Sequence, residues 1–340
     1  MSTKKKILLT GGAGFIGAHT AVELIQRGFE VVLIDDFSKS DHTLLKGIEK
    51  IVGKTVPFVK GDCRDANLLD QVFTKEKLDS VIHFAAYKSV NESVVNPLMY
   101  YDNNLRSMTE LLRAMANHKV NEFIFSSSCT VYGQPDTIPV DENAPYKKAE
   151  SPYGATKQMC ERILEDVTSA NKDLKVISLR YFNPVGAHPS ALIGELPIGV
   201  PNNLVPYITQ TAIGLRQKLT VFGSDYQTSD GSCVRDFIHV VDLAQAHVKA
   251  VEKIDEMSSR YEPFNLGTGE GVTVLGLVKK FIAVTGVNLN YEVGPRRAGD
   301  IEKVYADPSK AKKILNWQTN LSLEDSLRDA WRWEQKLAGK

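Results

Sequence analysis

Tyr153 and Lys157 stand four residues apart in Ser151-Pro152-Tyr153-Gly154-Ala155-Thr156-Lys157. A free tyrosine is a poor base at neutral pH, since holding it as phenolate at pH 7 takes roughly 4 kcal/mol of preferential stabilisation. A lysine ammonium alongside acts in that direction. Such a pair could take a proton from a hydroxyl and return it. Of the 12 tyrosines, only Tyr153 has a lysine at that spacing. A run of hydroxyls, Ser126-Ser127-Ser128, followed by Cys129-Thr130-Val131-Tyr132-Gly133, precedes the pair.

These groups need positioning elements. Ser151 suits a helix N-cap and Pro152 the first helical position, so Tyr153 and Lys157 share one face of the helix that follows. The serines close an apolar strand over 122–127, and side chains at a strand's carboxyl end point into the cleft of a doubly wound sheet. The first strand and turn, Lys6 to Gly17, read as a phosphate cradle. Gly11 permits the sharp turn, Gly14 lets backbone approach a pyrophosphate, and Gly17 lets the helix over 15–27 pack on the strand. The spacing fits GxGxxG from Gly12 and GxxGxxG from Gly11 equally. A second strand over 30–34 runs into Asp35, where a carboxylate would accept from both hydroxyls of an adenosine ribose and repel a 2′-phosphate, favouring NAD over NADP. The alternative is a glycine-rich turn in another α/β protein with a surface aspartate.

The pattern then repeats: a strand over 56–60, a helix over 67–75, a strand over 80–85 and a long helix from Pro97 to His118. This alternation predicts an α/β fold, a Rossmann-like doubly wound parallel sheet with a smaller mixed α/β C-terminal lobe. Asp62 is a candidate adenine contact or, equally, the N-cap of the next helix. Asn103 and Asn104 sit poorly inside a helix and suggest a buried hydrogen-bonding duty. His83 and His239 read as satisfied core histidines. Asn183 and Pro184 end the sixth strand. The segment 194–203, rich in Gly, Pro and Asn, reads as a ligand-clamping loop, and 242–253 and 323–337 as core-facing helices.

The 340 residues suggest about two domains. With 41 basic and 41 acidic residues, no field favours nucleic acid or an anionic membrane. The opening Lys4-Lys5-Lys6 precedes an apolar run too short for a signal peptide or a membrane span. The scattered Cys63, Cys129, Cys160 and Cys233 read as reduced thiols of a cytoplasmic protein, with no structural metal.

The motifs Thr10 to Gly17, Ser126 to Gly133 and Tyr153 to Lys157 resemble the extended short-chain dehydrogenase/reductase superfamily. Arg180 to Pro189, Pro201 to Pro206, Asp230 to Val240 and Pro295 to Asp300 are similar to its epimerases acting at C4 of UDP-hexoses. The resemblance implies reversible epimerisation of UDP-glucose and UDP-galactose, an isomerase of galactose metabolism, through a transient 4-keto sugar and tightly bound NAD. Tyr153 would take the O4 proton, Ser128 would support that transfer, and Lys157 would bind the nicotinamide ribose and, with the positive nicotinamide ring, keep Tyr153 acidic. NAD contacts carry over to Gly11, Gly14, Phe15, Ile16, Gly17, Asp35, Asp36 and Ser40, then to Asp62, Cys63, Phe84, Ala85, Lys88, Asn103 and Phe182, besides the catalytic residues. Asp36 stands where asparagine is usual. Substrate contacts carry over to Lys88, Ser128, Tyr153, Asn183, Asn203, Leu204, Thr220 and Phe222, with Arg235 and Arg297 clamping the diphosphate and Asp300 the uridine ribose. Val304 stands at a position that gates the sugar pocket, and a small residue there implies room for the N-acetyl group of UDP-GlcNAc and UDP-GalNAc, or else simple packing beside Tyr305. The implied domains are 1–183, binding NAD, with segments near 236–262 returning to it, and 184–340, binding the UDP-sugar. A homodimer through the helices over 97–118 and 153–171 is also implied, where the sequence itself gives only amphipathic faces that could equally pack inside one subunit. A 4,6-dehydratase would need Asp-Glu after the active-site hydroxyl, where this chain has Cys129 and Thr130. A non-catalytic NAD-sensing regulator would not need Ser128, Tyr153 and Lys157 intact.

Overall fold

Short apolar runs separated by capped helices build a seven-stranded sheet in a computed structural model that describes residues 5–297 and 300–339. In chain order the first half is β1 (Lys6–Thr10), α1 (Phe15–Arg27), β2 (Glu30–Asp35), α2 (His42–Val52), β3 (Phe58–Lys60), α3 (Ala66–Glu76), β4 (Ser80–His83), α4 (Val90–Val95), α5 (Pro97–Asn117), β5 (Glu122–Ser128), α6 (Pro152–Ala170) and β6 (Lys175–Tyr181). The second half adds β7 (Asn183–Val185), α7 (Leu204–Ala212), β8 (Leu219–Phe222), β9 (Val234–Arg235), β10 (Phe237–His239), α8 (Val240–Lys253), β11 (Tyr261–Leu266), β12 (Val272–Thr273), α9 (Val274–Thr285), β13 (Tyr291–Gly294), β14 (Lys303–Val304) and α10 (Leu323–Leu337).

The large sheet runs β11-β6-β5-β4-β1-β2-β3, every pair parallel. Its strands are buried on both faces, so they read as continuous apolar runs. One core joins it to α1, α2 and α8 through Leu24, Ile48 and Leu243. The other joins it to α3, α5 and α6 through Val72, Leu111 and Leu164. Strand order reverses between β1 and β4, which opens a crevice at their carboxyl ends. The second half of the chain forms a further lobe, where α7, α9 and α10 share a core of Ile208, Phe281 and Leu327 beside sheets of two or three short strands.

Caps follow local chemistry. The Ser151 hydroxyl accepts from the Gly154 amide at 3.1 Å, and Ser322 with Asp325 forms a capping box on α10. Three of the boundaries that differ from the sequence expectation have a clear structural reason or consequence. β3 starts at Phe58 rather than Val56, because Pro57 has no amide to donate to a ladder. β4 stops at His83, freeing Phe84 and Ala85 for the crevice. Asn183 and Pro184 do not end β6; they open β7, which pairs with β10 and carries the chain into the second lobe. Among the described residues no helix is long and apolar enough to cross a membrane, and no group of three or more His, Cys, Asp or Glu side chains is placed to hold a metal ion.

Candidate active site

The glycine turn has the shape a pyrophosphate needs. Gly11 has φ of +69°, and a Cβ there would lie 2.8 Å from the Ala85 amide nitrogen. A Cβ on Gly17 would lie 2.3 Å from the Gly11 carbonyl oxygen, so only glycine lets α1 start this close to β1. Gly14 caps α1 without a side-chain bond, leaving the helix amides of Phe15 and Ile16 facing the turn for an anion. The Asp35 carboxylate accepts from the Ala13 amide (3.1 Å), the Phe37 amide (3.0 Å) and the Ser40 hydroxyl (2.7 Å). Burial pushes its pKa up, and those three donors work against the rise. Ser40 therefore reaches the site through Asp35, whose two oxygens retain capacity for a ribose hydroxyl. A cradle that side chains would fill, a bare helix N-terminus and a fixed carboxylate fit a dinucleotide. Asp36 accepts from the Ser38 amide at 2.8 Å. Asp62 is not the cap of α3; Asp65 is, while Asp62 is forked by the Arg64 guanidinium at 2.7 and 2.9 Å. Cys63 is buried beside it, its thiol pushed far up by desolvation. Asn103 donates to Asn104 at 3.0 Å. The buried duty falls to Asn104, which holds the Tyr87 backbone and the Thr156 hydroxyl (3.0 Å each) and so ties α5 to α6.

The structure brings Ser128, Tyr153 and Lys157 together at the carboxyl end of β5. The Lys157 ammonium donates to the Ser126 carbonyl at 2.6 Å and lies 5.9 Å from the centre of the Tyr153 ring. Burial pulls its pKa down to about 8. Burial also pushes the Tyr153 phenol up to about 12, with the Ser128 hydroxyl working the other way. Desolvation is the largest influence on the phenol, and the ammonium is directed at a carbonyl rather than at the phenol oxygen. His83 is a satisfied core histidine, bonded through Nδ1 to the Thr10 hydroxyl at 2.7 Å. His239 is satisfied at Nδ1, which accepts from the Val241 amide at 3.1 Å; its Nε2 lies 3.4 Å from the Asp329 carboxylate without a hydrogen bond.

The second lobe contributes a separate wall. The Asn183 side chain donates to the Asp236 carbonyl at 2.9 Å, and Phe182 packs with Val304, Val131 and Tyr132. Val304 is 4% exposed, on a strand paired to Arg235. Leu204 opens α7, whose cap residue Asn203 makes no capping bond. Instead the Asn203 amide donates to Glu195 at 2.5 Å, and Lys88 reaches the same oxygen at 3.3 Å. Thr220 and Phe222 lie on β8, with the Arg297 guanidinium 5.6 Å over the Phe222 ring. Asp300 gathers both arginines, Arg297 at 2.6 Å and Arg235 at 3.9 Å. Ala298 and Gly299 of that motif lie outside the described residues, as does Lys4 of the opening basic run.

Sequence reasoning missed Glu195, which links Lys88 to Asn203, and Glu161, which bonds Ser127, Tyr146, Tyr261 and Arg180. Glu161 had a signal, since it lies one further turn along the face of Tyr153 and Lys157. Glu195 had none beyond its place in the clamping loop.

The model of the NAD dependent epimerase/dehydratase family matches residues 7–267. The chain is 49% identical over 328 residues to the UDP-glucose 4-epimerase of Bacillus subtilis (strain 168), covering 96% of each. It superposes with a TM-score of 0.96 at 45% identity on the UDP-glucose 4-epimerase of Stenotrophomonas maltophila, solved with bound NAD and formylated UDP-arabinopyranose, covering 98% of this chain and 99% of that one. The Bifidobacterium longum enzyme, solved with NAD+ and UDP, gives a TM-score of 0.94 at 45% identity over 97% and 98%.

Proposed function

Because the chain belongs to the NAD dependent epimerase/dehydratase family, we propose that it interconverts UDP-glucose and UDP-galactose at C4 with NAD as cofactor. The observation that carries this reading is Tyr153 beside the buried Ser128 and Lys157 at the carboxyl end of β5, in the same half of the fold as the glycine turn. Bound NAD supplies an acceptor and donor of two electrons. The side chains manage the proton. Tyr153 removes it from the sugar 4-hydroxyl and later returns it, Ser128 hydrogen-bonds the sugar oxygen, and Lys157 supports the phenolate once its bond to Ser126 is shared with a ribose.

Gly11, Gly14, Gly17 and Asp35 are the proposed cofactor anchors. Arg235 and Arg297 are the proposed diphosphate clamp, since a guanidinium fork matches phosphate oxygens; Asp300 holds both in place until the ligand arrives. A dehydratase is not favoured, because Cys129 and Thr130 supply no carboxylic acid beside Ser128. A cytoplasmic homodimer belongs to the same reading, as does acceptance of N-acetylated UDP-sugars past Val304.

The test is turnover. The purified protein should release NAD on denaturation and convert UDP-galactose without consuming it. Accumulation of NADH in step with product would make it a net dehydrogenase. The same assay on UDP-GlcNAc, with Val304→Tyr alongside, decides the gate: a wild type inactive on that sugar, or a variant impaired equally on both sugars, sinks it.

A further inference from the structure

We propose that the buried pair Glu161–Arg180 is the positioning pair of this site, fixing α6 against the carboxyl end of β5 so that Tyr153 and Lys157 meet Ser128 and Ser126 in register. This rests on the epimerase reading.

Tyr153, Lys157 and Glu161 repeat at four-residue spacing along one face of α6. Three consecutive β5 residues answer them. The Ser126 carbonyl takes the Lys157 ammonium, the Ser127 hydroxyl donates to Glu161, and the Ser128 hydroxyl lies near enough to Tyr153 to work against the rise of its phenol pKa. A slip of α6 by one turn would misalign all three at once.

Glu161 is the only one of the three α6 residues whose bonds extend across the sheet. Ser127, Arg180 and Asn265 occupy one rung over β5, β6 and β11. Arg180 donates through Nε and Nη2 to Glu161 at 3.0 and 2.6 Å, to the Tyr132 hydroxyl at 2.8 Å and to the Tyr146 hydroxyl at 2.6 Å. Tyr132 passes the chain to Asn265 at 2.7 Å, and Asn265 holds the Val140 carbonyl at 2.8 Å. Arg180 also bonds the Glu142 carbonyl at 3.3 Å. The network therefore grips the loop over 133–150 that delivers the chain to Ser151 and Tyr153.

Stability does not explain such a pair. Both side chains are almost wholly buried, and replacing a buried ion pair by apolar residues of similar volume is often neutral or stabilising. Burial drives the Glu161 carboxyl up, but Arg180, Ser127 and Tyr146 outweigh it and keep it ionised. The retained charges give a fixed geometry that apolar contacts, free to slide, do not.

The test uses the NAD-loaded protein with Glu161→Leu/Arg180→Leu, which keeps the core neutral, and Ser127→Ala, which cuts only the link to β5. Both should retain NAD and hold KM for UDP-galactose within about threefold, while kcat falls at least tenfold in the double variant and about threefold in Ser127→Ala. The pH–kcat profile should move to higher pH in both. An ultraviolet difference titration against the same variants carrying Tyr153→Phe should show the phenol titrating higher than in wild type. A folded double variant with wild-type kcat and titration overturns the proposal; should the double variant fail to fold, the same result in Ser127→Ala overturns it. Lost activity with an unmoved pH profile and phenol titration, meaning a merely structural role, overturns it as well. A wild type that does not turn over UDP-galactose defeats the epimerase reading alone, since the phenol titration still tests the positioning.

Discussion

At the scale of single residues, the site combines a phenol and an amine whose pKa values burial drives apart, Tyr153 up to about 12 and Lys157 down to about 8. At pH 7 Lys157 is already an ammonium, whereas Tyr153 stays a neutral phenol until a bound sugar hydroxyl and cofactor change the local field. Tyr153→Phe should therefore lower kcat by about 100-fold or more, the ordinary share of a general base, with UDP affinity little changed. Near-normal turnover would remove Tyr153 from the mechanism. Lys157 also gives a pH signature in stability. Its native pKa, about 8, lies below the ordinary lysine value of 10.5, so between the two the native state holds fewer protons and stability rises with pH. Below 8 the full cost of burying the ammonium stands. Lys157→Met escapes that cost, so in urea unfolding its advantage should shrink by up to about 3 kcal/mol as pH rises from 8 to 10.5. A gap between the two proteins that stays constant over that range would show that Lys157 is not buried as a cation. Tyr153 opposes this above pH 10, where its raised pKa makes stability fall, but it does so in both proteins and cancels.

At the scale of elements, the glycine turn and α1 act as one unit whose fit is steric. Alanine at position 17 should add about 1 kcal/mol of helix propensity, yet its Cβ would meet the Gly11 carbonyl oxygen at 2.3 Å. The contact is far inside van der Waals distance and involves backbone on both sides, so it wins. Gly17→Ala should purify with NAD depleted and rebind it at least about tenfold more weakly, one misplaced cradle amide being enough for that; wild-type NAD content would mean the turn tolerates the shift. Much at this scale was legible because it is local. Glycine spacing, the Ser151 cap with Pro152 behind it, and the apolar period of α1, α5 and α10 all lie within a few residues of what they determine. What escaped is non-local. Asn183 continues the apolar run of β6, and only pairing with β10 shows that it starts a new strand. Glu161 meets Arg180 across the sheet, 19 positions along the chain.

At the scale of the whole molecule, α4, α5 and α6 leave an outer face with Val94, Val95 and Leu98 at 61, 76 and 81% exposure and Met159 at 44%. Isolated exposed aliphatics need no explanation, but α4 and α5 are joined at Asn96, and both pack against α6, which brings these side chains onto one side. The two-residue strands of the second lobe were illegible in sequence, having no periodicity, whereas this face was suggested by the amphipathic pattern of α5 and α6, which left open whether they pack inside one subunit. The answer is mixed: Met108, Leu111 and Leu164 face the sheet, and a second apolar strip remains outside. A two-fold axis along that strip would set α5 and α6 against their copies as a four-helix bundle, covering it with an identical surface. Because α6 carries Tyr153 and Lys157 on its inner face, the same helix would serve pairing and chemistry, and loss of the partner would loosen the site. Light scattering at micromolar concentration should give twice the chain mass, and Val95→Asp/Leu98→Asp should give the monomer with reduced kcat. A monomeric wild type would defeat the pairing; a monomeric variant with undiminished kcat would leave the dimer standing and break its link to catalysis.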